Sequence, residues 1–233
     1  MRKPIVILGG MGPQASIRFQ QLLIEKSMAF HSGDNDQFPY IVHLSIPVTD
    51  FISGESARHA AAQTLNQLAP LVKALHPGQV ALACNTAHLL ATEVEMLQQP
   101  PFVSMLEVVA QKIQQDNRKT IGLMASPTTI RTRLYTNILA GLGVRVLEPT
   151  AAQQAALEAA IRAVIARTAG QQEQATLTAV GQSLAARGAE ALLLGCTELP
   201  LLFNMADALV PTYDCLDMYA EELIGTEYSQ LAH

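Results

Sequence analysis

Two short apolar runs, residues 80–83 and 191–194, lead into cysteines, the first directly and the second through Gly195, and those cysteines, Cys84 and Cys196, stand 112 residues apart. Their surroundings repeat as well. A run at 5–8 enters Gly9-Gly10, 75 residues before Cys84; a run at 120–125 enters Ser126-Pro127-Thr128-Thr129, and Ala125 lies 71 residues before Cys196. Each half then closes on a proline-flanked stretch, Pro101-Phe102-Val103-Ser104-Met105 in one and Leu209-Val210-Pro211-Thr212-Tyr213-Asp214 in the other. Short apolar runs bounded by turn residues read as buried strands. Strands that alternate with amphipathic stretches read as parallel α/β units with right-handed crossovers. The repeat thus predicts an imperfect internal duplication: two pseudo-symmetric parallel-sheet α/β domains with a cleft between them. Residues 1–102 plus 210–233 are expected to form one domain and 103–209 the other.

The periodicity adds detail. Residues 40–46 read as a second strand, ended by Pro47. Ala61, Leu65, Leu68, Val72 and Leu75 share one helical face, which predicts a single surface helix over 57–75, stopped by His76-Pro77-Gly78. Ala87, Leu90, Val94 and Leu97 predict another helix after Cys84. In the second half a helix is expected after Ser126-Pro127-Thr128-Thr129, through about Leu142, a strand at 144–147, and Ala-rich helices near 153–168 and 172–187.

Composition removes several classes of function. Fifteen Lys and Arg stand against 20 Asp and Glu, aromatic residues make up 5% and Trp is absent, so the basic face and stacking platforms of a nucleic-acid binder are missing. No apolar run reaches the ~18 residues of a transmembrane helix, and the first run leads into glycines instead of a signal-peptide core. Three cysteines make no disulfide framework, which points to reduced thiols and a cytoplasmic protein. The six histidines show no zinc-type spacing, so no structural metal is expected.

In parallel α/β sheets, ligands bind beyond the carboxyl ends of the strands. Four loops fall there: Gly9-Gly10-Met11-Gly12-Pro13, Cys84-Asn85-Thr86, Ser126-Pro127-Thr128-Thr129 and Cys196-Thr197-Glu198. Each cysteine is expected to precede a helix N-terminus, whose dipole favours a thiolate and a bound carboxylate. A lone buried cysteine is ordinarily a small hydrophobe, and Cys215, in the closing segment, is assigned to packing. Two cysteines at equivalent points of a duplication suit a specific chemistry: one thiolate takes a proton from carbon, and the opposite thiol returns one to the other face. Asn85, Thr86, Ser126, Thr129 and Thr197, with backbone N–H groups, are candidates to stabilise the charge that develops.

At these residues the sequence resembles the aspartate/glutamate racemases, cofactor-independent two-cysteine enzymes. The resemblance rests on Leu8-Gly9-Gly10-Met11-Gly12-Pro13, Cys84-Asn85-Thr86-Ala87-His88 and Gly195-Cys196-Thr197-Glu198, with weaker matches at Thr129-Ile130 and Tyr135 and at Val210-Pro211 and Asp214. It implies Cys84 and Cys196 as the acid/base pair, a small amino-acid substrate held by Met11, Asn85, Thr86, Ser126, Thr129 and Thr197, support from Gly10, His88 and Glu198, no cofactor or metal, and a homodimer. Two positions depart from the family's aspartate racemases. Ile46-Pro47-Val48-Thr49-Asp50 lacks an Arg, and Arg167-Thr168-Ala169-Gly170 lacks a Lys, each of which holds a substrate carboxylate there. Arg131 and Arg133 are candidate replacements. The departures keep open a one-cysteine relative of the maleate isomerase or decarboxylase kind, and a ligand-binding paralogue without turnover.

Overall fold

The computed structural model describes residues 2–49, 57–98 and 100–231. The chain divides into two compact units: of the described residues, 2–49, 57–98, 100–105 and 216–231 form the first, and 106–215 the second.

The first unit is built on β1 (Ile5–Gly9), α1 (Pro13–Ser27), β2 (Ile41–Ser45), α2 (Arg58–Asn66), α3 (Ala69–Ala74), β3 (Gln79–Leu82) and β4 (Phe102–Val103). Its four strands are parallel, in the order β2-β1-β3-β4. The central strands β1 and β3 are buried along their whole length, as their mostly apolar sequences require. Val6, Leu8, Val80 and Leu82 pack with Ala61, Leu65, Val72 and Leu90, and Cys84 joins the same cluster.

The second unit follows with α4 (Met105–Gln115), β5 (Thr120–Met124), α5 (Pro127–Arg131), α6 (Leu134–Gly141), β6 (Arg145–Leu147), α7 (Ala151–Ala166), α8 (Gln171–Ala186), β7 (Ala191–Leu194) and β8 (Thr212–Asp214). Its sheet has the order β6-β5-β7-β8, again parallel. Numbered within each unit, the two orders are identical, so the duplication read from the cysteine spacing extends to topology. Leu157, Ile161, Leu177, Val180, Leu184 and Phe203 pack on Leu192 and Leu194, with Cys196 in that cluster.

The last helix, α9 (Cys215–Leu231), returns to the first unit. Tyr219 stacks on Phe19 with ring centroids 5.1 Å apart, and Gln79 Nε2 donates to the Leu223 carbonyl at 2.9 Å. The sequence assigns 210–233 as a block to the first domain. The backbone instead pairs β8 with β7 in the second sheet, and the chain crosses back after Cys215.

Three expected helices are altered. The helix foreseen over 57–75 is two, α2 and α3, because Pro70 offers no N–H to continue the first and its ring crowds the preceding turn. The helix foreseen from after Thr129 to about Leu142 starts earlier, at Pro127, and breaks at Arg133, which adopts a left-handed conformation (φ 56°) between α5 and α6. The helix foreseen after Cys84 is two short 3-10 turns, Thr86–Leu90 and Glu95–Leu97. Among the described residues no helix is long and apolar enough to cross a membrane.

Candidate active site

In the first unit the candidate residues gather where β1 and β3 end. Ile46 N–H donates to the Gly9 carbonyl and Ala83 N–H to the Leu8 carbonyl, both at 3.0 Å, so the ladder carries up to the loop. Gly10 then turns the chain with φ +91°, and a Cβ there would lie 2.4 Å from the backbone N and O of Ile46. Only glycine fits that turn. Gly10 N–H donates to Ser16 Oγ at 3.2 Å, and Ser16 Oγ–H to the Pro13 carbonyl at 3.0 Å, which binds the loop to the first turn of α1. Met11, partly buried, packs against the apolar cluster that contains Cys84.

Cys84, Asn85, Thr86 and His88 are all buried beside that loop. His88 lies between two backbone groups. Met105 N–H donates to its Nε2 at 3.2 Å, and its Nδ1 is 2.9 Å from the Cys84 carbonyl. A backbone amide only donates and a carbonyl only accepts, so the ring proton sits on Nδ1. Burial holds the imidazole neutral, lowering its pKa to about 4.

In the second unit the equivalent residues gather where β5 and β7 end. Ser126 caps α5: its Oγ accepts from Thr129 N–H at 3.2 Å and donates to Thr129 Oγ1 at 3.0 Å. Arg131 extends from this turn to Thr128 Oγ1 at 3.0 Å, while Arg133 is exposed and reaches Asn137. Cys196, Thr197 and Glu198 are buried. Cys196 Sγ donates to Glu198 Oε2 at 3.1 Å, and Thr197 Oγ1 donates to the same oxygen at 3.0 Å. Tyr135 is fully buried, and its phenol is pushed well above its ordinary range, first by burial and then by the nearby sulfurs of Cys215 and Cys196.

The sequence places a helix dipole behind each thiol. In the structure the turn after Cys84 has five 3-10 residues and the one after Cys196 three, Leu199–Leu201, too short for a useful dipole. Glu198 is thus a buried partner of the thiol and not a helix-end charge. The Ala-rich helices, given no role from sequence, also contribute. Gln154, one turn into α7, donates from Nε2 to the Ala125 carbonyl at 3.0 Å and pins the loop that carries Ser126. A polar side chain early in an otherwise Ala-rich helix is its only sequence signal.

Four strand ends in two like units, each unit with a buried cysteine and a threonine within two residues after it, match a known pattern. The profile of Asp/Glu/Hydantoin racemases covers residues 8–223, from β1 into α9. The chain belongs to the Asp/Glu/Hydantoin racemase family. It is similar to the broad specificity amino-acid racemase RacX of Bacillus subtilis, at 23% identity over 223 residues, 95% of this chain and 97% of that protein. Its fold is similar to that of Picrophilus torridus aspartate racemase (TM-score 0.84, 22% identity, 97% of this chain and 94% of that chain). It is also similar to Francisella tularensis glutamate racemase, solved with D-glutamate (TM-score 0.65, 17% identity, 99% and 82%).

Against the family's aspartate racemases, the departures seen in the sequence lie at Thr49 and Thr168. Asp50, beside the first, falls outside the described residues. Arg167 ends α7 in a left-handed conformation (φ 59°) and is exposed, while Thr168 N–H bonds back to the Ala163 carbonyl at 2.9 Å.

Proposed function

We propose that Cys84 and Cys196 carry the racemase chemistry of this chain, inverting Cα of a small amino acid without a cofactor. The observation behind this reading is the equivalence of the two cysteines, each just beyond the third strand of a unit whose topology is repeated, inside a family of racemases. In this reading the two sulfurs act on opposite faces of the substrate Cα. The thiolate on one side takes the Cα proton and becomes a thiol. The thiol on the other side gives its proton to the opposite face and becomes a thiolate. Each enantiomer thus leaves the pair primed for the other, and solvent exchange resets it.

The two sulfurs cannot both be anionic at low cost, because the second ionisation is opposed by the first and by the substrate carboxylate. Glu198 adds a third acidic group next to Cys196 and shares its proton. Asn85, Thr86 and Thr129 hold the substrate carboxylate, into which the carbanion charge spreads, while Ser126 and Thr197, whose hydroxyls donate to Thr129 and Glu198, brace the loops that carry them. Thr49 and Thr168 supply no charge for a second carboxylate, which favours small or varied side chains over strict aspartate specificity. The broad specificity named for the B. subtilis relative agrees with this. The working form is a homodimer, as the resemblance implies.

Single enantiomers of acidic and small neutral amino acids, incubated with the purified chain and no added cofactor, test the reading by chiral chromatography. The expected result is drift of at least one pair to an equal mixture. Conversion of a non-amino diacid alone would favour the one-cysteine alternative. Thermal stabilisation by amino acids without inversion of any would make the chain a binding protein.

A further inference from the structure

The two half-sites restrain their thiols by different means. Cys196 is restrained through its sulfur, by Glu198. At Cys84 the backbone is restrained: β3 ends at Leu82, Ala83 N–H makes the next bond, to the Leu8 carbonyl, and the Cys84 carbonyl accepts from His88. The other ring nitrogen of His88 accepts from Met105 N–H, at the last residue before the chain passes into the second unit. We propose that His88 is a positioning residue for Cys84, a neutral imidazole that ties the cysteine's backbone to the start of α4.

Three observations carry this beyond simple burial. Both ring nitrogens are committed to backbone groups, so neither is left to take a proton from a thiol. The groups around the ring carry no charge: the backbone of Cys84, Asn85 and Met105, and the Phe102 ring 5.8 Å away. A second clamp runs in parallel. Leu82 N–H donates to Tyr219 Oη at 3.3 Å, and Tyr219 O–H donates to the Val103 carbonyl. Leu82 and Val103 each lie two residues before a group held by His88, so two side chains add to the β3–β4 pairing in joining β3 to the segment leading to α4 near Cys84.

The proposal rests on the reading of Cys84 as a proton-transfer group, and its test separates the two. In the full chain, alkylation of Cys84 and Cys196 by iodoacetamide is followed by peptide mass spectrometry alongside kcat, KM and Tm, for wild type, His88→Ala and His88→Asn. Asn keeps a donor near the position of Nδ1. His88→Ala is expected to lower kcat by about 10- to 100-fold, the scale of a misplaced reacting group, with KM nearly unchanged. It should alter the Cys84 alkylation rate severalfold while Cys196 reacts as before. His88→Asn should recover most of both. An unchanged Cys84:Cys196 alkylation ratio in His88→Ala would overturn the proposal, as would a His88→Asn variant no better than His88→Ala. If His88→Ala does not fold, the alkylation ratio of His88→Asn against wild type decides: near wild type supports, far from it overturns. A wild type without turnover would remove the racemase reading, while the alkylation ratio would still judge His88.

Discussion

Cys196 Sγ donates to Glu198 Oε2 at 3.1 Å, and Thr197 Oγ1 donates to that same oxygen at 3.0 Å. One buried carboxylate oxygen thus accepts from both a thiol and a hydroxyl. While Glu198 is ionised, a thiolate at Cys196 faces a like charge at hydrogen-bond distance, which favours the thiol. Glu198→Gln removes that charge and keeps an acceptor. Cys196 in this variant should form its thiolate at lower pH and alkylate severalfold faster at pH 7–8, with Cys84 alkylating no faster than in wild type. Equal alkylation of Cys196 in variant and wild type would show that the carboxylate does not control the thiol.

His88 makes a stability prediction with a definite sign. Its folded pKa, lowered to about 4 by burial, lies below the 6.5 of an exposed histidine. Between those values the unfolded chain binds a proton that the folded chain refuses, so the stability is present above pH 6.5 and falls as pH drops towards 4. The full difference is worth about 3 kcal/mol. Urea unfolding at pH 7 and pH 4.5 should show wild type losing more stability over that interval than His88→Asn. Parallel losses would contradict the buried, neutral ring.

Gly10 and Gly188 separate two reasons for needing glycine. Both have positive φ, +91° and +95°, but a Cβ on Gly10 meets the Ile46 backbone at 2.4 Å, and one on Gly188 meets nothing within 4 Å. Gly188→Ala should cost about 1–2 kcal/mol for conformation alone. Gly10→Ala should cost more, because the chain just after β2 must also move, and should impair the half-site that contains Met11. Denaturation midpoints and KM check both. Equal cost at the two sites would mean that the loop yields without strain.

Much of the fold is legible because its central strands are mostly apolar runs bounded by turn residues, a signal that short buried strands give strongly. The long helices α7 and α8 fall within about two residues of their expected ends. The helix expected after Cys84 is lost for a tertiary reason. Arg58 takes the Leu89 carbonyl at 2.6 Å, and Asn66 takes the Glu93 carbonyl at 2.8 Å and the Glu95 N–H at 3.2 Å. Groups that a helix would have paired internally are paired to α2 and its end, and the segment breaks into 3-10 turns. Local periodicity carries no trace of this.

At the candidate site the same division holds. The cysteines are visible in the sequence because duplication puts them at matching points. Their partners are not, since a hydrogen bond depends on rotamer and fold. Glu198 reads equally as a helix-end charge until its side chain is seen to fold back on Cys196. Met105 lies 17 residues from His88, and Gln154 lies 29 residues from the carbonyl it holds.

The two-cysteine mechanism is tested most directly by Cα deuterium incorporation in D2O from single enantiomers of a turned-over amino acid, with wild type, Cys84→Ser, Cys196→Ser and the double variant. Wild type is expected to incorporate deuterium with inversion, each single variant to lose inversion, and the double variant to incorporate none. Inversion that survives either single substitution, or incorporation that persists in the double variant, would contradict the mechanism.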